Sequence, residues 1–337
     1  MTATPLGGRI DLAPGHTVSR IVRGGWQQHM AGPPADARAA FADLDAFMAG
    51  GILAFETADT YRGLDATLGA FLADRRARGL PLPRIHARIT LPADVDVAFD
   101  ALVARLGGTV PDLVQIQMWR LDPPAYVAAA ERLARRTGRI GLMNVDADVL
   151  ARALDGGVRP LSVQAQLSPL DHRPLATLLP ACRAARVHLV AYGALAGGFL
   201  TERWLGRPDP GMRPGPDGAF HREYRIVVEE FGGWGRFQAL LAALDAVARR
   251  HGTTMTAVAL RWTLDVPGVA LALAGASRPG RLADWRPVAA LRLDAADRAA
   301  IAAVTGDAPG PSGPVGGLER DPAGPFAAAI AAHAGDG

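Results

Sequence analysis

The sequence predicts a (β/α)8 barrel. Three observations carry that prediction: eight short apolar runs along 337 residues, an amphipathic helical stretch after most of them, and no Gly-x-Gly-x-x-Gly turn after the first. Strand–helix alternation argues for a parallel sheet with right-handed crossovers. Eight such units favour closure into a barrel. A doubly wound sheet, the competing architecture, usually carries the glycine-rich turn that is missing.

The elements run in order as follows. Ser19–Gly25 is the first candidate strand and Ile52–Thr57 the second. Ala66–Arg78 is a helix, with Leu68, Phe71 and Leu72 on one face. Arg84–Ile89 and Leu113–Met118 are the third and fourth strands. Pro124–Thr137 opens with a proline, suited to a first helical position. Arg139–Asn144, Leu161–Gln166 and Val187–Gly193 follow as strands, with a helix at Pro174–Ala185. The last helix and strand of this series are Arg236–His251 and Val269–Gly275. The pattern is read as one domain over residues 1–337.

Two segments break the alternation. Residues 200–235 form a long stretch with Pro208, Pro210, Pro214 and Pro216 and the rings of Trp204, Phe220, Tyr224, Phe231 and Trp234. It reads as a loop over the barrel mouth, or as a surface insertion packed by its own aromatics. The tail, residues 306–337, begins loop-like and carries a short candidate helix at Pro325–His333.

Composition excludes several chemistries. All 36 residues counted as Lys+Arg are arginine. A Schiff-base lysine, a Walker-A lysine and a Ser–Lys dyad are therefore ruled out. Net charge is +3 with no arginine run longer than a pair, so no nucleic-acid footprint is expected. The one cysteine, Cys182, is expected as a buried structural thiol. No signal-like or membrane-spanning run is seen, and a cytoplasmic location is expected. Asp59, His86 and His221 do not make a convincing metal set, so no metal is expected. Oligomeric state is not readable.

In such a barrel, reactive residues sit at the C-terminal ends of strands. Strand interiors normally pack with Val, Ile and Leu. Polar Glu56, Arg88, Gln117, Asn144 and Gln164 therefore look placed for a site.

At these residues the chain resembles the aldo-keto reductase family, from about Ile21 to the tail. Arg23-Gly24-Gly25-Trp26-Gln27 matches the family's opening barrel strand. Phe55-Glu56-Thr57-Ala58-Asp59-Thr60-Tyr61 resembles its Asp-Thr-Ala-x-x-Tyr segment. Arg139-Ile140-Gly141-Leu142-Met143-Asn144 resembles its Ile-Gly-x-Ser-Asn. Val190 to Leu200 is close to its Ala-Tyr-Ser-Pro-Leu-Ala-Gly-Gly-Leu-Leu. Ala259-Leu260-Arg261-Trp262 and Gly275-Ala276-Ser277-Arg278-Pro279 match its last helix and cofactor-phosphate loop. Leu318-Glu319-Arg320-Asp321 fits the tail of a bacterial branch.

The family carries an Asp, Tyr, Lys and His tetrad. The resemblance puts Glu56, Tyr61, Arg88 and Gln117 at those positions. Arg88 keeps the cation that favours tyrosinate, with a different geometry from Lys. Glu56 keeps the acid. Gln117 donates a hydrogen bond but cannot shuttle a proton. The resemblance also implies that Asn144 and Gln164 hold a nicotinamide carboxamide and that Tyr192 stacks on its ring. Gly193 and Leu195 lie on the same cofactor loop. Ser277, Arg278 and Arg281 stand near the adenosine phosphate and favour NADP(H). Met143 replaces a Ser, and Trp285 an Asn near adenine. Trp26, Met118, Trp119 and Trp234 suggest an apolar face for a small-molecule substrate, or packing at the mouth. The expected activity is NADP(H)-dependent reduction of a carbonyl or imine. A non-redox dehydratase, cyclase or isomerase on the same barrel, or a non-catalytic binding protein, are the alternatives.

Overall fold

The computed structural model describes residues 4–30, 36–91, 94–118, 123–211, 220–276, 278–306, 308, 310–321 and 323–324. Trp119, Ser277 and the candidate helix Pro325–His333 lie outside them, as does the side chain of Met118.

The chain opens with an antiparallel hairpin, β1 (Arg9–Ala13) and β2 (His16–Ser19), turned at Pro14-Gly15 with Gly15 at φ 73°. Proline presets the first turn residue and glycine supplies the positive φ of the second. Eight strands then close into a barrel. They are β3 (Ile21–Gly24), β4 (Ala54–Ala58), β5 (Arg84–Leu91), β6 (Leu113–Met118), β7 (Ile140–Met143), β8 (Ser162–Gln166), β9 (His188–Tyr192) and β10 (Val269–Gly275). All eight neighbour pairs are parallel, including the closing pair of β10 with β3. The architecture is the (β/α)8 barrel that the alternation predicts.

The helices in chain order are α1 (Trp26–Met30), α2 (Ala37–Ala49), α3 (Arg62–Ala77), α4 (Val95–Arg105), α5 (Pro123–Thr137), α6 (Ala147–Asp155), α7 (Arg173–Ala176) and α8 (Leu178–Ala185). They continue with α9 (Phe220–Glu230), α10 (Gly233–Arg250), α11 (Met255–Asp265), α12 (Leu282–Trp285), α13 (Ala295–Thr305) and α14 (Gly317–Arg320). Side chains close several N-termini: Asp94 accepts from the amides of Asp96 and Val97, and Asp294 forms a capping box with Asp297. None of the helices among the described residues is long and apolar enough to cross a membrane.

Strand alternation divides the barrel wall into two faces. Phe55, Ile85, Ala87, Val114, Ile116, Val163, Leu189 and Ala191 point outward into the core under the helices. The side chains between them therefore face the barrel axis. At the N-terminal end Leu12 and Val18 of the hairpin pack on Val22, Ala54, Val190 and Leu271 and plug the barrel. His16 Nε2 meets His86 Nε2 there at 3.0 Å. Above this plug the inward positions turn polar. Gln115 Nε2 crosses the barrel to Ser162 Oγ at 2.8 Å, passing over Gly141 of β7. A Cβ on Gly141 would lie 2.1 Å from Gln115 Oε1, so only glycine leaves room for that bridge.

The segment expected as one long loop holds a short 3-10 turn, Glu202–Trp204, and the three-turn helix α9. Cys182 is buried, and burial pushes its thiol up to about 12, which suits an inert packing residue.

Candidate active site

Glu56 lies on the inner face of β4. Its Oε2 accepts the Gly25 N–H at 2.8 Å, tying the end of β3 to β4. Gly25 permits this approach: a Cβ there would lie 2.2 Å from Leu64 Cδ2 and 2.5 Å from the Glu56 carbonyl oxygen. Glu56 is buried, and burial raises its pKa, opposed by the charge of Arg88, the Gly25 hydrogen bond and the charge of Arg23. Arg23 acts from behind, on the outer face of β3 against Phe47 and Phe55.

Tyr61 ends the loop after β4 and stands at the N-cap of α3. Its carbonyl accepts from Leu64 and Asp65, while its ring turns to the mouth. His29 stacks on that ring at 4.9 Å and Trp26 tilts against it at 5.6 Å. The Arg88 guanidinium lies over it with Cζ 5.1 Å from the centroid, a cation–π arrangement. Arg88 Nη2 also reaches Thr60 Oγ1 at 3.4 Å, and its buried Nε has no partner among the described residues. Tyr61, Glu56 and Arg88 are thus brought to one end of the barrel.

The charges decide the state of the phenol. Burial pushes the Tyr61 pKa well above 10, and Arg88 only partly opposes this. Arg88 acts in the direction expected of it, favouring tyrosinate, but desolvation of the ring oxygen outweighs that one guanidinium. His29 is held below its ordinary pKa by burial and by the charge of Arg88.

Gln117 sits on the inner face of β6, paired in register with Thr90 and Met143. It is 1 % exposed, and its Oε1 has no hydrogen-bond partner among the described residues. Gln166, two positions after Gln164 on the inner face of β8, is also buried, and its Nε2 has no partner among the described residues. Buried amides normally find partners within the protein. Two unmet groups on β6 and β8, the strands either side of β7, mark a place where a polar ligand would complete them.

The other half of the mouth is built around Tyr192. Asn144 follows β7 at φ 55°, a left-handed conformation that asparagine tolerates better than most residues. That turn aims its side chain across the barrel, and Asn144 Oδ1 lies 3.0 Å from Tyr192 Oη. Gln164 pairs in register with Met143 of β7 and Val190 of β9, and Gln166 with Tyr192. Tyr192 Oη is also 3.4 Å from Glu319 Oε1 of α14. Glu319 is itself held by two hydrogen bonds from Arg173, at 2.7 and 2.9 Å. Arg173 bonds in the same bidentate way to Asp171, in the loop after β8. All three members are nearly inaccessible to solvent.

Helix α9 closes the remaining side. The Tyr224 hydroxyl lies 2.6 Å from where a Cβ on Gly193 would stand, so Gly193, at φ 67°, must be glycine on two grounds. Glu223, its neighbour, makes no hydrogen bond or ion pair among the described residues. Burial, with the charge of Glu319, raises its carboxyl pKa to about 7. The charge of Glu223 reaches Tyr61 and Tyr224.

Several sequence candidates stand apart from this cluster. Trp234 packs against Phe199, Trp204 and Phe237 and donates from Nε1 to Arg207 O. It holds the α9–α10 segment together. Trp285 is fully buried and stacks on Phe47, which leaves no ring face for an adenine. Leu195 packs against the core. Arg278 and Arg281 are exposed, and Arg281 Nη1 is 3.6 Å from Asp284. Among the described residues no group of three or more His, Cys, Asp or Glu is placed to hold a metal.

The sequence points to Tyr224 only as one ring of the segment over the mouth, and not to Asp171, Arg173, Glu223 or the inward role of Glu319. The one available signal was the spacing Asp171-His172-Arg173 just past a barrel strand, together with the Leu-Glu-Arg-Asp tail.

The model of the Aldo/keto reductase family matches residues 20–305. Flagellar radial spoke protein 5 of Chlamydomonas reinhardtii is 31% identical over 188 residues, 47% of this chain and 36% of that protein. The aldo-keto reductase yakc [NADP(+)] of Schizosaccharomyces pombe is 28% identical over 51% of each chain. The chain thus spans between about a third and a half of these two relatives. An uncharacterised oxidoreductase of Mycobacterium tuberculosis is 29% identical over 74% of this chain and 77% of its own. Among solved structures, the glycerol dehydrogenase of Gluconobacter oxydans superposes with TM-score 0.74 at 21% identity, covering 91% of this chain and 98% of its own. An aldo-keto reductase of Klebsiella pneumoniae, in complex with NADPH, does so with TM-score 0.65 at 20% identity, covering 93% and 97%.

Proposed function

Because the chain belongs to the aldo/keto reductase family, we propose that it is an NADP(H)-dependent oxidoreductase that reduces a carbonyl or imine through Glu56, Tyr61, Arg88 and Gln117. The observation that carries this reading is the placement of Arg88 over the Tyr61 ring, beside Glu56. A drifted, vacant barrel has no reason to keep a guanidinium, a carboxylate and a phenol coupled at one end.

The residues present fit a nicotinamide. Asn144, Gln164 and Gln166 offer amides on the strands beside Tyr192, and the buried Gln166 Nε2 is a donor without a partner among the described residues. By the family's pattern Asn144 and Gln164 would hold the carboxamide, with Tyr192 against the ring and Gly193 and Leu195 on the following loop. Arg278 and Arg281 are exposed, where they would meet a 2′-phosphate, which supports NADP(H) over NAD(H). A relative named for NADP(+) and a similar fold solved with NADPH support the same choice.

When bound, the cofactor supplies the hydride. Tyr61 holds the proton that a carbonyl oxygen needs, and Arg88 steadies the charge that develops on giving it up. Gln117 hydrogen-bonds the substrate heteroatom, a task its amide performs without proton transfer. Trp26, against Tyr61, forms part of the substrate wall. Titration of the protein's fluorescence with NADPH tests the reading. Saturable binding, with NADPH oxidation against a carbonyl and imine panel, is expected; absence of binding overturns it.

A further inference from the structure

We propose that Glu319, on the tail helix α14, is a positioning residue of the cofactor site: locked by Arg173, it fixes the hydroxyl of Tyr192 and through it the ring against which a nicotinamide would lie. The proposal rests on the cofactor reading above and adds the tail to that site.

The tail comes to the mouth with its own anchors. Val315 is buried and Leu318 packs against the core. Gly316, at φ 71°, turns the chain into the single turn of α14. Glu319 is thereby carried inward, and it is 4 % exposed. Arg173 donates to its Oε1 from Nη2 at 2.7 Å and to its Oε2 from Nη1 at 2.9 Å. The other edge of the same guanidinium donates to Asp171, from Nε at 3.0 Å and from Nη2 at 2.7 Å. The Arg173 amide meets Asp171 Oδ1 as well, at 3.1 Å. A planar fork engaged on both edges has little freedom to swing. Glu319 Oε1 is therefore a fixed oxygen, although it sits on a tail.

Tyr192 Oη stands between that oxygen, at 3.4 Å, and Asn144 Oδ1, at 3.0 Å. The phenol has one hydrogen and faces two acceptors. Whichever takes it, the far end of the ring is confined from both sides. Burial and the charge of Glu319 both raise the pKa of Tyr192, so the hydroxyl keeps that hydrogen. The near end is confined too. Tyr192 ends β9 in register with Gln166, and the Tyr224 hydroxyl fills the space over Gly193. A ring held at both ends is a preset platform, and a misplacement of about 1 Å in such a part costs on the order of 10² in rate.

Holding the tail down does not account for this arrangement. A buried Arg–carboxylate triad is often no more stabilising than apolar residues of the same volume. Val315 and Leu318 already give the tail apolar contacts. What the triad adds is an oxygen at one stated point, beside the Tyr192 hydroxyl.

The test uses the full chain and two ligands: NADPH, and 2′-phospho-ADP-ribose, which lacks the nicotinamide. Calorimetry measures the binding of each. Glu319→Ala is expected to weaken NADPH about tenfold and the shorter ligand less than about twofold. In a Tyr192→Phe background the same substitution is expected to change NADPH binding less than about twofold, because the hydroxyl it acts through is gone. An equal loss for both ligands would make Glu319 an anchor of the tail alone. That result, unchanged NADPH binding, or the full loss persisting in the Tyr192→Phe background overturns the proposal but not the hydride reading. Failure of the parent to bind NADPH overturns both. If Glu319→Ala does not fold, Glu319→Met, which fills the same volume, is read by the same criteria.

Discussion

Glu319 Oε1 lies 2.7 Å from Arg173 Nη2, although 146 residues separate the two in sequence. This contact nails the tail to the barrel mouth. Because Arg173 also holds Asp171, its removal and the removal of Glu319 have different consequences. Arg173→Met leaves two buried carboxylates facing each other and is expected to cost about 3–5 kcal/mol. Glu319→Gln keeps an acceptor for the guanidinium and is expected to cost only about 1 kcal/mol. Urea denaturation of the two variants gives the comparison. Equal losses would show that Arg173 does not serve both acids.

Tyr61 and Arg88 separate the two kinds of reduction. Tyr61→Phe is expected to lower kcat/KM for a ketone by about 10²–10⁴, the usual worth of a positioned general acid. The same variant is expected to change reduction of a permanent iminium by less than about tenfold, since no proton moves there. Arg88→Met removes the charge that opposes burial of the phenol and should slow the ketone further than the iminium. Steady-state NADPH oxidation with both substrates reads this. A parallel collapse in Tyr61→Phe would place Tyr61 in substrate binding and not in proton delivery.

The fold was largely legible because parallel barrel strands are short apolar runs, and all eight predicted runs carry a strand. The hairpin was not, since β1 and β2 alternate over too few residues to stand out. Helix α9 was hidden in a stretch whose prolines and glycines read as loop. Glu56, Arg88 and Gln117 were visible as polar residues where Val, Ile or Leu belong. Arg173 and Glu319 were invisible, because a pair so far apart leaves no periodicity in the chain. Trp285 stands where the family has an asparagine near adenine, and its side chain turns to Phe47 and the core.

Glu223 gives a signature independent of any substrate. Its carboxyl pKa is raised from 4.5 to about 7 by burial and by Glu319. Between those values the folded protein holds a proton that the unfolded chain has released. Stability contributed by this group is therefore present below pH 4.5 and lost as pH rises through 7. Glu223→Gln removes the ionisation, so it should match the parent at low pH and exceed it at pH 8. Denaturation midpoints at pH 5 and pH 8 measure the difference. No gain at pH 8 would mean that the carboxylate already has a counter-ion.

The histidine pair at the barrel floor predicts the opposite slope. His16 and His86 share one proton between their Nε2 atoms, and burial holds both pKa values well below the ordinary 6.5. The charge of Arg84 adds to this at both rings, and Asp112 opposes it at His16. A second proton would set two donors face to face in a pocket that the hairpin seals. Below pH 6.5 the unfolded chain binds protons that the folded protein refuses. Stability is therefore full above 6.5 and lost as pH falls. The double variant His16→Gln, His86→Gln keeps a neutral hydrogen-bonding pair and removes both ionisations. Urea midpoints at pH 7.5, 6.5 and 5.5 should fall less steeply for it than for the parent. An identical slope would mean that the floor opens to admit a proton, and that the hairpin plug is looser than its contacts with Val22, Ala54 and Leu271 imply.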